Sequence, residues 1–133
     1  MHWEYNLKPD IENQFGFVYI ITNSKTSKAY IGCKQYWNYR KRKKLKESNW
    51  KIYMGSSKHL LEDIKKLGKK YFNFKIIAEF ENKRSLRYYE CYYQMKYNVL
   101  TAKLKETDEP AFYNNWIGGK FYRPVQEYND YLN

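Results

Sequence analysis

The sequence predicts a small single domain of the α/β class, a three-stranded and mostly antiparallel sheet flanked by about three helices. Three stretches carry that prediction. Gly16-Phe17-Val18-Tyr19-Ile20-Ile21-Thr22-Asn23 and Lys28-Ala29-Tyr30-Ile31-Gly32 are short β-branched runs separated by the polar Ser24-Lys25-Thr26-Ser27, the pattern of two strands joined as a hairpin. Leu60, Leu61, Ile64 and Leu67 recur at helical spacing between Lys58 and Leu67, with charged residues between them and Gly68 as a stop. From Phe72 to Phe80 apolar and polar residues alternate, the period of a partly buried strand. A chain of 133 residues matches one domain with a modest core.

Taken in order, residues 1–15 are polar, contain Pro9 and show no sustained period, so they read as an arm lying against the domain. After the hairpin, Tyr36 to Glu47 has few turn signals and is rich in helix formers, with Arg40 and Lys44 one turn apart, and a short basic helix is expected there. Trp50 to Gly55 makes an aromatic connection, and Ser56 or Ser57 is placed to cap the next helix. Residues 83–97 contain neither Gly nor Pro and suit a third helix, on which Leu86, Glu90, Tyr93 and Tyr97 share a face. A carboxylate on that face needs a partner. Beyond Asn98 the chain turns polar, with Pro110, Gly118-Gly119 and Pro124; Phe112 to Trp116 is expected to pack on the body and the last ten residues to be peripheral.

Lys and Arg number 25 against 14 Asp and Glu, a net charge of +11 that favours a polyanion such as nucleic acid or an anionic membrane surface. The charge is concentrated, since Lys34 to Lys58 holds nine basic residues and one acid. Within it Arg40 can offer a bidentate, permanently charged clamp to a phosphate, whereas the lysines supply attraction and salt dependence. The segment lacks the continuous apolar face of a membrane-surface helix. No apolar run approaches the roughly 20 residues of a membrane span, and the start Met1-His2-Trp3-Glu4-Tyr5 lacks a signal-peptide core, so a cytoplasmic protein is expected. Two cysteines, Cys33 and Cys91, suggest neither a disulfide framework nor a zinc site.

Glu90 admits two roles: an ion pair with Arg87 or a lysine, or the single carboxylate of a magnesium site completed by waters and substrate phosphate. Tyr19 and Tyr30 are either strand residues or reagents, and a phenol acts as a base only where cations lower its pKa from about 10. His59 reads as a surface group at a helix start with some reach to phosphate.

The order of these parts resembles the GIY-YIG nuclease family, in its phage-borne branch related to homing endonucleases. The first motif stands as Phe17-Val18-Tyr19 with Gly16 one place earlier; the second is intact as Tyr30-Ile31-Gly32. Arg40 lies eight residues after Gly32, Glu90 opens Glu90-Cys91-Tyr92-Tyr93, and Asn114 closes Phe112-Tyr113-Asn114. The histidine often found on the arginine helix is missing, and Lys44 occupies that neighbourhood. The match spans residues 16–116, leaving 117–133 as a C-terminal extension. What the resemblance implies is a DNA endonuclease of a phage-infected bacterium, cutting one strand per active site, with a homodimer as one route to a double-strand break. It implies Tyr19, Tyr30, Arg40, Glu90 and Asn114 as catalytic residues, with Glu90 holding Mg²⁺, or Mn²⁺ in its place. DNA would be held by Lys34, Arg42, Lys43, Lys44, Lys51, Lys58 and His59. The alternative is a nucleic-acid-binding module that keeps the fold without turnover and uses its basic segment and stacking aromatics.

Overall fold

The computed structural model describes residues 1–118 and 120–124. Its elements run β1 (Trp3–Glu4), β2 (Gly16–Asn23), β3 (Ala29–Gln35), β4 (Trp37–Arg40), β5 (Lys43–Glu47), α1 (Lys58–Leu67), β6 (Phe72–Phe80), α2 (Lys83–Lys96), β7 (Trp116–Ile117) and β8 (Phe121–Tyr122). The main sheet has the order β1-β6-β2-β3, with β2 antiparallel to both neighbours and β1 parallel to β6. Among the described residues this makes a mixed four-stranded sheet with two α-helices. The fourth strand comes from the segment expected to be an arm: Trp3 pairs with Phe74 and is buried, and its indole N–H donates to the Trp50 carbonyl at 2.5 Å. Most of the C-terminal extension, residue 119 and residues 125–133, lies outside the described residues.

Side chains alternate across β2, so the sheet carries two cores. Phe17, Tyr19 and Ile21 join Phe72, Phe74 and Ile76 of β6 beneath Leu60 and Ile64 of α1. Val18, with Ile31 of β3, packs on the opposite face against Leu86 of α2, Val99 and Ile117. Both helices begin with a side-chain cap: Ser57 accepts from the Leu60 N–H at 3.3 Å, and Asn82 accepts from the Ser85 N–H at 2.8 Å. Gly16 stands at the head of β2 because a β-carbon there would collide with the Lys34 carbonyl. Phe17, at the motif's usual glycine position, is fully buried and belongs to the α1-side core.

The expected basic helix from Tyr36 to Glu47 is not a helix. β4 and β5 form a separate two-stranded ribbon, with Arg40 paired to Lys43 and the two-residue turn Lys41-Arg42 between them. Tertiary contacts overrode helix propensity. Tyr39 stacks on Phe15 with ring centroids 5.2 Å apart, and the Trp37 indole N–H donates to the Ile11 carbonyl at 2.8 Å. A helix would have turned one of those two aromatics away from residues 11–15. No helix among the described residues is long and apolar enough to cross a membrane.

Candidate active site

β3 is the edge strand of the main sheet, and a cavity of about 640 Å³ opens beside it. An edge can be reached from both faces of a sheet. Tyr30, Tyr53, Ser56, Lys58 and His59 line the cavity from the α1 side, while Arg87, Glu90 and Gln94 of α2 line it from the other.

The free edge of β3 is closed by side chains. Ile31 pairs inward with Ile20, and its outward N–H donates to Asn114 Oδ1 at 3.2 Å. Its carbonyl accepts from Asn114 Nδ2 and from Gln94 Nε2, each at 2.9 Å. The Asn114 amide thus imitates one residue of a neighbouring strand and satisfies backbone groups that would otherwise be orphaned on burial. Tyr113 fixes it from the other side: its hydroxyl donates to Asp63 Oδ2 at 2.7 Å and accepts from Asn23 Nδ2 at 3.0 Å, so α1 and the β2 terminus both hold the segment.

Tyr19 lies under the cavity and does not line it. Its ring occupies space that only glycine leaves open: a β-carbon at Gly32 would sit 2.5 Å from the Tyr19 hydroxyl oxygen. Gly55 flanks the same hydroxyl at a φ of +88°, a conformation suited to glycine. Burial first, then the nearby Tyr30, push the Tyr19 phenol well above its ordinary range. This is the opposite of the lowering by cations that a phenol needs to act as a base, because the basic side chains stand elsewhere and water is excluded. Tyr30 is also pushed up by burial, partly offset by the Ser56 hydroxyl 3.2 Å from its own. Tyr53 borders the same space, T-shaped against Tyr19 at 6.1 Å between centroids, and burial raises it too. Burial thus favours the neutral form of all three phenols.

Glu90 is half-buried, and desolvation raises its carboxyl above the usual range, opposed by the Cys33 thiol, by Arg87 and by the Cys33 N–H. Cys33 itself is pushed up to about 12, first by burial and then by Glu90, so it faces the carboxylate as a thiol. None of the three ion pairs among the described residues engages Glu90 or Arg87. Of the two roles open to Glu90, the ion pair is not formed among the described residues, and Glu90 and Arg87 both line the cavity one helical turn apart. One turn further, Gln94 is buried with its Oε1 unpartnered.

The chain matches the family model described as "Putative endonuclease segE, GIY-YIG domain" over residues 2–117. It belongs to the GIY-YIG nuclease family, of the segE type. The family match begins before β1, in keeping with that strand's place in the sheet. No match is found among curated proteins or among solved structures.

GIY-YIG nucleases generally use divalent metals, and the residues at this edge fit one hard cation. No cluster of three or more His, Cys, Asp or Glu exists among the described residues. The donor set is instead one carboxylate, Glu90, with an unpartnered amide oxygen on the next turn. That leaves most of the shell to waters and phosphate, which is how Mg²⁺ is commonly held.

Of the residues expected to serve the site, Tyr30, Lys58, His59, Glu90 and Asn114 meet at the GIY-YIG cavity. Arg40, Arg42, Lys43 and Lys44 lie on the exposed ribbon, and Arg40 does not line the cavity. Arg40 keeps its place eight residues after Gly32, on β4. Lys51 pairs with Glu47 at 3.6 Å. Lys34 lines a smaller neighbouring cavity of about 250 Å³ with Lys83 and Arg87, its ammonium 4.3 Å from the Tyr53 ring centroid. Sequence reasoning missed Tyr53, Arg87 and Gln94 as site residues. The spacing of Arg87, Glu90 and Gln94, three and four residues apart, was the available signal for two of them.

Proposed function

We propose that this GIY-YIG protein is a homing-endonuclease-like enzyme that hydrolyses DNA phosphodiesters with Mg²⁺, or Mn²⁺ in its place, one strand per cavity. The single observation that supports this most is that Glu90 and Arg87 face one cavity unpaired, opposite Tyr30, Lys58 and His59. A carboxylate and a guanidinium one turn apart on a helix ordinarily neutralise one another. Here each keeps its valence for a ligand that carries both a cation and an anion, as a metal-bound phosphate does.

Glu90 would hold the cation. When bound, the cation supplies positive charge to the scissile phosphate and the leaving 3′ oxygen. Arg87 takes the part that Arg40 was expected to play, donating to non-bridging oxygens as negative charge grows on them. Lys58 adds a second positive group from the opposite wall. The Tyr30 hydroxyl, set by Ser56, orients the attacking water, and Tyr19 and Tyr53 fix the position of that ring. Proton removal falls to His59, which lines the cavity and whose Nδ1 lies 3.8 Å from Glu62 Oε2. One cavity cuts one strand, so a double-strand break needs two copies or two successive nicks.

Supercoiled plasmid tests the proposal. Nicked circles should accumulate with Mg²⁺ and cease with EDTA. Plasmid bound in a salt-sensitive manner but never nicked with Mg²⁺ or Mn²⁺ would instead identify a binding module without turnover.

A further inference from the structure

The β4–β5 ribbon carries six cations, Arg40, Lys41, Arg42, Lys43, Lys44 and Lys46, and one acid, Glu47, which is held at the root by Lys51 and by the Trp50 indole N–H. None of the six takes part in an ion pair among the described residues, and all are exposed. The outer end is bare of packing, whereas the root is anchored by Tyr39 on Phe15 and by Trp37 on Ile11. The turn is costly for the residues it uses. Lys41 has a φ of 49° and Arg42 a φ of 67°, left-handed values at both central positions, where Asn-Gly is the favoured pair. Two long cationic side chains therefore stand where a turn chosen for stability would carry none, a pattern that points to a ligand at the tip.

We infer that this ribbon is a duplex-reading arm that lies in the major groove of DNA beside the bond being cut. The inference rests on the nuclease function proposed above and assigns it a recognition element. Dimensions select the groove: two strands about 4.8 Å apart with their side chains fit a major groove about 12 Å wide and not a minor groove about 6 Å wide. Side-chain chemistry selects the duplex. A single strand would need aromatic platforms, but Tyr39 is stacked on Phe15 and the Lys44 ammonium covers Trp37 at 5.0 Å. A membrane surface would need an apolar face, and the ribbon's outer half offers only Leu45, extruded beside the register shift between Asn38 and Tyr39. The root also adjoins the smaller cavity through Asn38, Gln35 and Lys34, and that cavity shares Cys33, Tyr53 and Arg87 with the larger one. A basic track thus runs from the ribbon to Glu90.

The test is the double substitution Lys41→Asn with Arg42→Gly, which suits the turn while removing two charges. It is compared with Lys65→Gln plus Lys66→Gln, which removes the same charge from exposed positions on α1. Both are made in the Glu90→Gln background and titrated against a 30-base-pair duplex from 50 to 300 mM KCl. The ribbon variant should melt no lower than its parent, bind about tenfold or more weakly, and reduce the salt slope by about two. The α1 variant should fall well short of that loss. Methyl green, which occupies the major groove, should displace the parent, and netropsin, which occupies the minor groove, should not. Equal losses from the two variants, an unchanged slope in the ribbon variant, or displacement by netropsin alone would overturn the assignment. A wild-type protein that nicks plasmid while the ribbon variant binds normally loses the ribbon and keeps the nuclease; one that neither binds nor nicks loses both.

Discussion

The edge of β3 and the β4–β5 ribbon are adjacent in sequence and opposite in construction. At the edge, the strand itself is fixed by its neighbours: Asn114 and Gln94 hold Ile31, Ser56 meets Tyr30, and Gly32 and Gly55 make room for Tyr19. On the ribbon, cations extend into solvent and only the root is packed. A group that must stabilise developing charge needs a fixed position and little water, whereas one that must find phosphates needs reach and net charge. On the function proposed above, chemistry falls to the edge and capture of DNA to the ribbon.

Breaking the edge should cost most. Glu90→Gln should reduce cleavage by about a thousandfold or more while leaving salt-sensitive DNA binding near that of the wild type. Quantified nicking alongside anisotropy binding separates the two quantities, and full cleavage in this variant would remove the carboxylate from the mechanism. His59→Ala should come next, slowing cleavage by about a hundredfold, the lower range for loss of a proton acceptor. An undiminished single-turnover rate would assign the proton to another group.

The smallest effect concerns the link between β1 and the site. His2 stacks on Phe74 at 4.0 Å, and because the Tyr53 carbonyl can only accept, the 2.9 Å contact makes His2 Nε2 the protonated nitrogen. Its Nδ1 is buried without a partner. Burial first lowers the ring's pKa from 6.5 to about 4, despite the opposing pull of the Tyr53 carbonyl. The unfolded chain therefore binds this proton at a higher pH than the folded one. Stability from this group is complete above about pH 6.5 and is lost as pH falls toward 4. His2→Phe should flatten that part of the curve in thermal melts taken between pH 7 and 4. An equally steep decline would place the titration elsewhere.

The sequence made the edge legible because its elements are set by burial. The period-2 run from Phe72 to Phe80 and the amphipathic run from Lys58 to Leu67 both stand in the structure at those limits. Tyr30, Glu90 and Asn114 were traced through motif order. The ribbon was not legible, since Lys, Arg, Leu and Glu favour helix and the turn has no Gly or Asn to mark it. Its strand character comes from Trp37 and Tyr39 packing against residues 11–15, a contact that local propensity does not encode. The same long-range origin concealed β1, where two residues pair with a strand some 70 positions away. Arg87 was legible only as an ion-pair partner of Glu90, although its register one turn before Glu90 on α2 also brings it to the cavity.

Arg87→Ala and Arg40→Ala, compared in single-turnover cleavage with protein in excess, test the division of labour most directly. Arg87→Ala should lower the cleavage rate by about a hundredfold or more, while Arg40→Ala should act mainly by weakening DNA binding and flattening its salt dependence. A greater loss of cleavage rate from Arg40→Ala than from Arg87→Ala would contradict it.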